Sequence, residues 1–273
     1  AVGTDSMSAN TTGQENVSMG WNSLDANTTG NYNVAIGASA LGVNTTAASN
    51  TAVGYGSLTA NTTGTTNVAV GSTAMAANTT ADNNTGIGAA SMNGNTTGTR
   101  NTAVGSDSLK VNTTGNDNTA VGKGALTANT TASNNTAVGK NALAANTTGA
   151  NNTAVGKSAL DANTTGASNT VLGADALSAD TQGSRSVAIG TSALEVQNFT
   201  TATNTYNVAV GFNAGAAIST GTLNTAVGGL SLDATTTGSY NTAVGYSAGG
   251  AITTGESNVC IGYNAGDAIT TGG

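Results

Sequence analysis

A glycine that follows an apolar residue recurs every 17 residues along this chain, and that spacing leaves few folds open. The anchors are Gly3, Gly20, Gly37, Gly54, Gly71, Gly88, Gly105, Gly122, Gly139, Gly156, Gly173 and Gly190. One step of 21 then leads to Gly211, and steps of 17 resume at Gly228, Gly245 and Gly262. A typical unit, Asn135 to Asn151, reads N-T-A-V-G-K-N-A-L-A-A-N-T-T-G-A-N. A fixed period of this size marks a solenoid, in which each coil packs on its neighbours. Residues 1–273 are therefore expected to form one continuous array of about 16 coils.

Each coil is expected to be β rather than helical. The recurrent Asn-Thr-Thr-Gly turn breaks any helix, and Thr and Val favour strands. Around the anchors Val34-Ala35-Ile36 alternates large, small, large, so Val34 and Ile36 share one face. A second short strand is expected at Ala40-Leu41 and its equivalents. The expected fold is an all-β parallel β-solenoid of 17-residue coils.

Two columns are expected to fill the interior. One is the Val/Ile column (Val53, Val70, Ile87, Val104, Val121), the other the Leu/Met column (Leu58, Met75, Met92, Leu109, Leu126). Where Gly replaces Leu, at Gly215, Gly249 and Gly266, an Ile follows three residues later, at Ile218, Ile252 and Ile269. Moving one large group while keeping it is a packing requirement. The core is thin, because each large buried group contributes roughly 1.5–3 kcal/mol against an ordering cost of roughly 1–2 kcal/mol per residue. The small Ala column (Ala35, Ala52, Ala69, Ala103, Ala120) is expected to let neighbouring chains approach, making an obligate oligomer.

Composition removes several functions. The chain has no His, one Cys (Cys260), and 13 acids against 6 bases. Zinc sites, Cys–His nucleophile pairs and basic patches for nucleic acid are excluded on that account. No apolar run has the roughly 20 residues of a membrane span. Asp25, Asp161, Asp233 and Asp267 share a column but lie in different coils, so no enzyme and no cofactor is expected. A calcium-binding solenoid is disfavoured because its glycine-rich nonapeptide is missing.

Ser186-Val187-Ala188-Ile189-Gly190 and Asn33-Val34-Ala35-Ile36-Gly37 resemble the repeat in the heads of trimeric autotransporter adhesins. The longer N-T-A-V-G-x-x-A-L-x-A-N-T-T-G unit looks more like arrays in phage tail-fibre proteins, as does Asn258-Val259-Cys260-Ile261-Gly262-Tyr263-Asn264-Ala265-Gly266. The resemblance implies a left-handed β-roll, assembled as a homotrimer, on the surface of a virion or a bacterial cell. Both ends fall inside a repeat, so the chain is expected to be a segment of a longer one. The expected function is a structural shaft of a phage tail fibre that presents a receptor-binding tip. The alternative is an adhesin head that contacts a host receptor or glycan directly. Ice binding by the Thr turns is a minor alternative, weakened because the doublets lie in turns.

Candidate contact residues are the exposed-column aromatics Trp21, Tyr55, Phe212, Tyr246 and Tyr263, each directly after an anchor. Tyr32, Tyr206 and Tyr240 each stand five residues before one. Phe199 lies in the four-residue insertion, placed within 195–206, and is expected as an exposed aromatic on a bulged loop or as a local plug covering the change of coil type. Asn10, Asn27, Asn44, Asn61, Asn78, Asn95, Asn112, Asn129, Asn146 and Asn163 each begin an Asn-Thr-Thr sequence and are formal glycan acceptors. The competing reading is a turn whose side chains bond the backbone.

Overall fold

The computed structural model describes residues 1–272, which contain strands and turns and no helix. The chain divides into two compact units, Ala1–Asn134 and Asn135–Gly273. Both are parallel β-solenoids of the same coil.

In the first unit, three-residue strands at Val17–Met19, Val34–Ile36, Thr51–Val53, Val68–Val70, Thr85–Ile87, Thr102–Val104 and Thr119–Val121 pair in chain order. The register is one coil throughout, as in Val34↔Thr51, Ala35↔Ala52 and Ile36↔Val53. In the second unit the strands are Thr136–Val138, Thr153–Val155, Thr170–Leu172, Val187–Ile189, Val208–Val210, Thr225–Val227, Thr242–Val244 and Val259–Ile261. A separate short pair joins Gly183–Ser184 to Thr203–Asn204. The partner offset is 20 residues there and 21 at Val187↔Val208, so the extra residues lie between Gln197 and Asn207.

The strand turns the opposite face to the interior from the one expected. The Ala column, not the Val/Ile column, points inward: Ala35, Ala52, Ala69, Ala103 and Ala120 are fully buried, while Ile36, Ile87 and Val121 are exposed. The Leu/Met column fills the interior as expected, with Leu24, Leu41, Leu58, Met75 and Met92 among its fully buried members. A full-sized Leu or Met in most coils leaves room for little more than a methyl on the facing strand, where only Val171, Cys260 and Ser18 are larger than Ala among the described strands. At Gly86, where even that methyl is missing, a Cβ would lie 2.9 Å from Met75 Cγ and 3.5 Å from Met92 Cε. The two neighbouring methionines use the space.

The expected second strand is a turn. Ala40 and Leu41 are adjacent and both fully buried, which a strand forbids because successive side chains alternate. The backbone solves this with left-handed residues two and four after each anchor, such as Ser39 (φ 57) and Leu41 (φ 49). Leu41 still donates its N–H to Ser57 O at 3.0 Å in the next coil, so the turns stack as regularly as the strands.

The anchors are glycine for two reasons. Gly37 has φ 131, a region closed to side chains, and a Cβ there would sit 2.5 Å from Gly54 O of the next coil.

Two ladders of buried asparagine complete the interior. Asn44 Nδ2 donates to Asn27 Oδ1 at 3.0 Å and to Ala47 O at 3.1 Å. Before each strand, Asn50 Oδ1 accepts from Asn67 N at 3.0 Å while Asn50 Nδ2 donates to Gly64 O at 2.8 Å. Stacking one coil on the next places a donor over an acceptor, so amides in the interior satisfy each other.

Candidate functional site

The outer side of the strands is the most distinctive surface of each unit. The first and last residues of each three-residue strand face outward, and none of them is charged. The first is Val or Thr and the last is Val, Ile, Leu or Met. Met19, Ile36, Ile87 and Val121 in the first unit, and Leu172, Val244 and Ile261 in the second, are exposed large apolar groups. The outward apolar groups are exposed at these levels and half-buried at most others, which makes this face a candidate interaction surface. Composition at these positions carries the signal: Thr shares the face of Val/Ile, and a polar hydroxyl sharing that face points to the outside.

Two rims border this face, formed by the residue two before each strand and the residue two after it. Trp21, Tyr32 and Tyr55 stand on the rims of the first unit, and Tyr206, Phe212, Tyr240, Tyr246 and Tyr263 on those of the second. All are exposed, from 46% at Tyr206 to 77% at Tyr263. Tyr246 and Tyr263 stack with centroids 5.8 Å apart and planes within 12°. Tyr246 also leans over Gly229, whose Cβ would meet its ring at 3.5 Å. The Arg185 guanidinium lies 5.5 Å from the Tyr206 ring centre and donates to its hydroxyl.

The rims also carry charge. Arg100 makes a two-pronged ion pair with Asp117 at 2.7 and 2.9 Å. The hydrogen bond from Arg100 holds the Asp117 carboxyl below its usual range and raises the guanidinium in turn. Lys157 lies 3.6 Å from Asp175, and Lys110 lies 2.8 Å from Asp107, whose carboxyl that bond lowers. Burial pushes the Asp161 and Asp233 carboxyls up, and the Cys260 thiol likewise. Among the described residues no group of three or more His, Cys, Asp or Glu is close enough to hold a metal ion.

Two groups of expected contact residues lie inside. Asn27, Asn44, Asn61, Asn78, Asn95, Asn112, Asn129, Asn146 and Asn163 are fully buried, and only Asn10, at the start of the array, is partly open. Their amides are held in the ladder, which removes them as glycan acceptors in the folded chain. The Thr after most of these Asn also commits its hydroxyl, as in Thr28 Oγ1 to Thr45 O at 3.1 Å. Phe199, expected as an exposed aromatic on a bulged loop or as a plug covering the change of coil type, is 9% exposed and does not project from the surface. Its N–H donates to Asp180 Oδ1 at 3.0 Å, drawing the loop over the coil.

Asp180 and Gln197 continue the turn column of asparagines with different chemistry. Asp180, fully buried, accepts from Gly183 N at 3.0 Å, Phe199 N at 3.0 Å and Gln197 Nε2 at 2.7 Å. Gln197 reaches Ser186 Oγ at 3.0 Å and accepts from Asn207 Nδ2 at 2.8 Å. Ladder continuity ends here, and the column is Ile218, Thr235 and Ile252 beyond it.

No family model matches the chain, and neither a curated protein nor a solved structure matches it.

Proposed function

We propose that the chain is a structural spacer in a homo-oligomeric extracellular fibre, with copies joined through the uncharged outer face of the strands. The observation that carries this reading is that face itself: apolar or Thr at every level, with no charge to keep it in water. The thin interior supports it, because Leu and Ala in each coil leave much of the apolar surface on the outside. The resemblance to tail-fibre arrays makes the assembly a homotrimer, and the fibre a phage tail fibre holding a receptor-binding tip away from the virion. The Ser186–Gly190 motif favours one alternative, the head of a trimeric bacterial adhesin that meets host receptors or glycans itself.

Light scattering on the purified chain tests the assembly. Three chains per particle are expected, with unfolding that shifts to higher temperature as concentration rises. A folded, monodisperse monomer at low micromolar concentration overturns the reading.

A further inference from the structure

We infer that Asn93-Gly94 is a one-way modification site, where opening of the coil leads to conversion of Asn93 to aspartate or isoaspartate. It is the one Asn-Gly sequence in the chain. The conversion depends on the coil alone and not on how copies assemble.

The chemistry needs no enzyme and no cofactor. The Gly94 main-chain nitrogen gives its proton to solvent base and attacks Asn93 Cγ, forming an N–C bond. The Cγ–Nδ2 bond breaks, ammonia leaves with a proton from water, and a cyclic imide remains. Water then opens the imide at either carbonyl, giving aspartate or an isomer whose main chain runs through Cγ. Glycine after the asparagine favours the attack, because no Cβ shields the nitrogen and the backbone turns freely.

The folded coil holds the two reacting groups apart. Asn93 Nδ2 donates to Thr73 O of the preceding coil at 2.9 Å. Gly94 N donates to Lys110 O of the next coil at 2.7 Å. One group is drawn down the stack and the other up it. Ring closure requires both bonds to break, so it is confined to the fraction of time in which this coil is open. Asn93 is only half-buried, on a turn, so an opened coil admits the water that the reaction consumes.

The two products act differently on the stack. Asp25, Asp161 and Asp233 occupy the same column in other coils, so aspartate fits at this level. Isoaspartate adds one carbon to the main chain, in a unit whose anchors are 17 residues apart at every step. Gly94 N and the groups beyond it then no longer stand over their acceptors, and the coil does not close again in register. A transient opening becomes permanent.

Peptide mapping of the full chain, aged at mildly alkaline pH, tests this, with isoaspartate scored by isoaspartyl methyltransferase. Conversion at Asn93 is expected to be at least about tenfold slower in the folded chain than in guanidinium-unfolded chain. The folded rate is expected to rise with denaturant below the unfolding transition. Gly94→Ala, read in the unfolded chain where packing plays no part, is expected to slow conversion severalfold. Refolded isoaspartate chains are expected to melt below the Asn93→Asp variant, which itself melts close to the parent. Equal rates in folded and unfolded chain overturn the inference, because the two hydrogen bonds then give no protection. So does a folded rate that ignores denaturant, since attack then proceeds without opening. Isoaspartate chains that melt with Asn93→Asp overturn the one-way character of the site.

Discussion

Ile252 fills the space that the missing side chain of Gly249 leaves in the core. A Cβ on Gly249 would lie 3.2 Å from Ile252 Cδ1 and 2.7 Å from Leu232 Cδ2. Gly249 stands in the Leu column and Ile252 in the column of turn asparagines, so one large group has moved from one wall of the interior to another. Ile252→Ala is expected to cost about 2–5 kcal/mol per chain, through the cavity it opens. Gly249→Leu alone overpacks the same space and costs about 1–3 kcal/mol. In the Ile252→Ala background the sign reverses: Gly249 has φ 63, near the φ 50 at which Leu232 already sits, so a Leu there refills the cavity. Denaturant unfolding of the four proteins measures this coupling, and equal destabilisation by Gly249→Leu in both backgrounds refutes it.

The exchange of Leu for Gly plus Ile was legible from residue order alone, as were the period, the anchors and the turn. Which side of the strand faces in was not. Val34-Ala35-Ile36 alternates cleanly, and size alone assigns the large residues to the core. The deciding fact is the burial of both Ala40 and Leu41 across the interior, which favours a small residue on the facing strand. That in turn requires Leu41 at φ 49, a conformation Leu disfavours by itself and adopts because every coil above and below repeats it. That the two aromatic columns flank one outward face escaped notice for the same reason. Trp21 and Tyr32 look like unrelated exposed rings until the strand between Tyr32 and Ala38 is known to face outward. Burial of Phe199 depends on Asp180, which lies 19 residues earlier and is the ladder's one carboxylate.

Anchor glycines and other glycines of positive φ are expected to differ sharply. Gly54 has φ 131, and a Cβ would stand 2.5 Å from Gly71 O, a backbone atom held by the next coil. Gly54→Ala combines a strained backbone with a clash and is expected to cost about 3 kcal/mol or more. Two residues on, Gly56 has φ 61 and meets nothing nearer than Thr73 Cγ2 at 3.8 Å. Other coils place Ser39 and Thr73 at this position, so Gly56→Ala is expected to change stability by less than about 1 kcal/mol. Thermal unfolding of the two variants side by side decides it. Similar losses would mean that stacking at the anchor is not the constraint.

Asp180 is expected to be required as an acceptor rather than as a charge. Its carboxylate receives three buried donors, from Gly183, Phe199 and Gln197. Below it, Asn163 Oδ1 lacks the donor that an Asn in this column would offer. Asp180→Ala leaves the three donors unmatched, at about 1–3 kcal/mol for each that water does not reach. Asp180→Asn keeps one oxygen for both backbone N–H groups and gives Asn163 a donor, so its cost is expected to be less than half as large. Denaturant midpoints for the two variants provide the comparison. An Asn variant as unstable as the Ala variant would show that the negative charge itself holds the Phe199 loop.

Two carboxylates are expected to bend the pH dependence of stability in opposite directions. Burial, helped by the nearby Asp175, raises the Asp161 carboxyl in the folded chain. The folded state therefore holds that proton more tightly than the unfolded state, and the contribution is greatest at low pH and lost as pH rises through the carboxylate range. Asp161→Asn removes this loss, so the variant should melt above the parent at about pH 7 and level with it at about pH 3. Asp117 has the reverse sign, because the hydrogen bond from Arg100 lowers its carboxyl. Its contribution is present at neutral pH and disappears as pH falls through the lowered value, so Asp117→Asn should melt slightly below the parent near neutrality and level with it in acid. Melting curves across that range, at low salt to keep the exposed Arg100–Asp117 pair unscreened, give both slopes. If Asp161→Asn lowers the melting temperature near neutrality, the ionised carboxylate is stabilised in the folded chain, and burial is not the dominant influence on it.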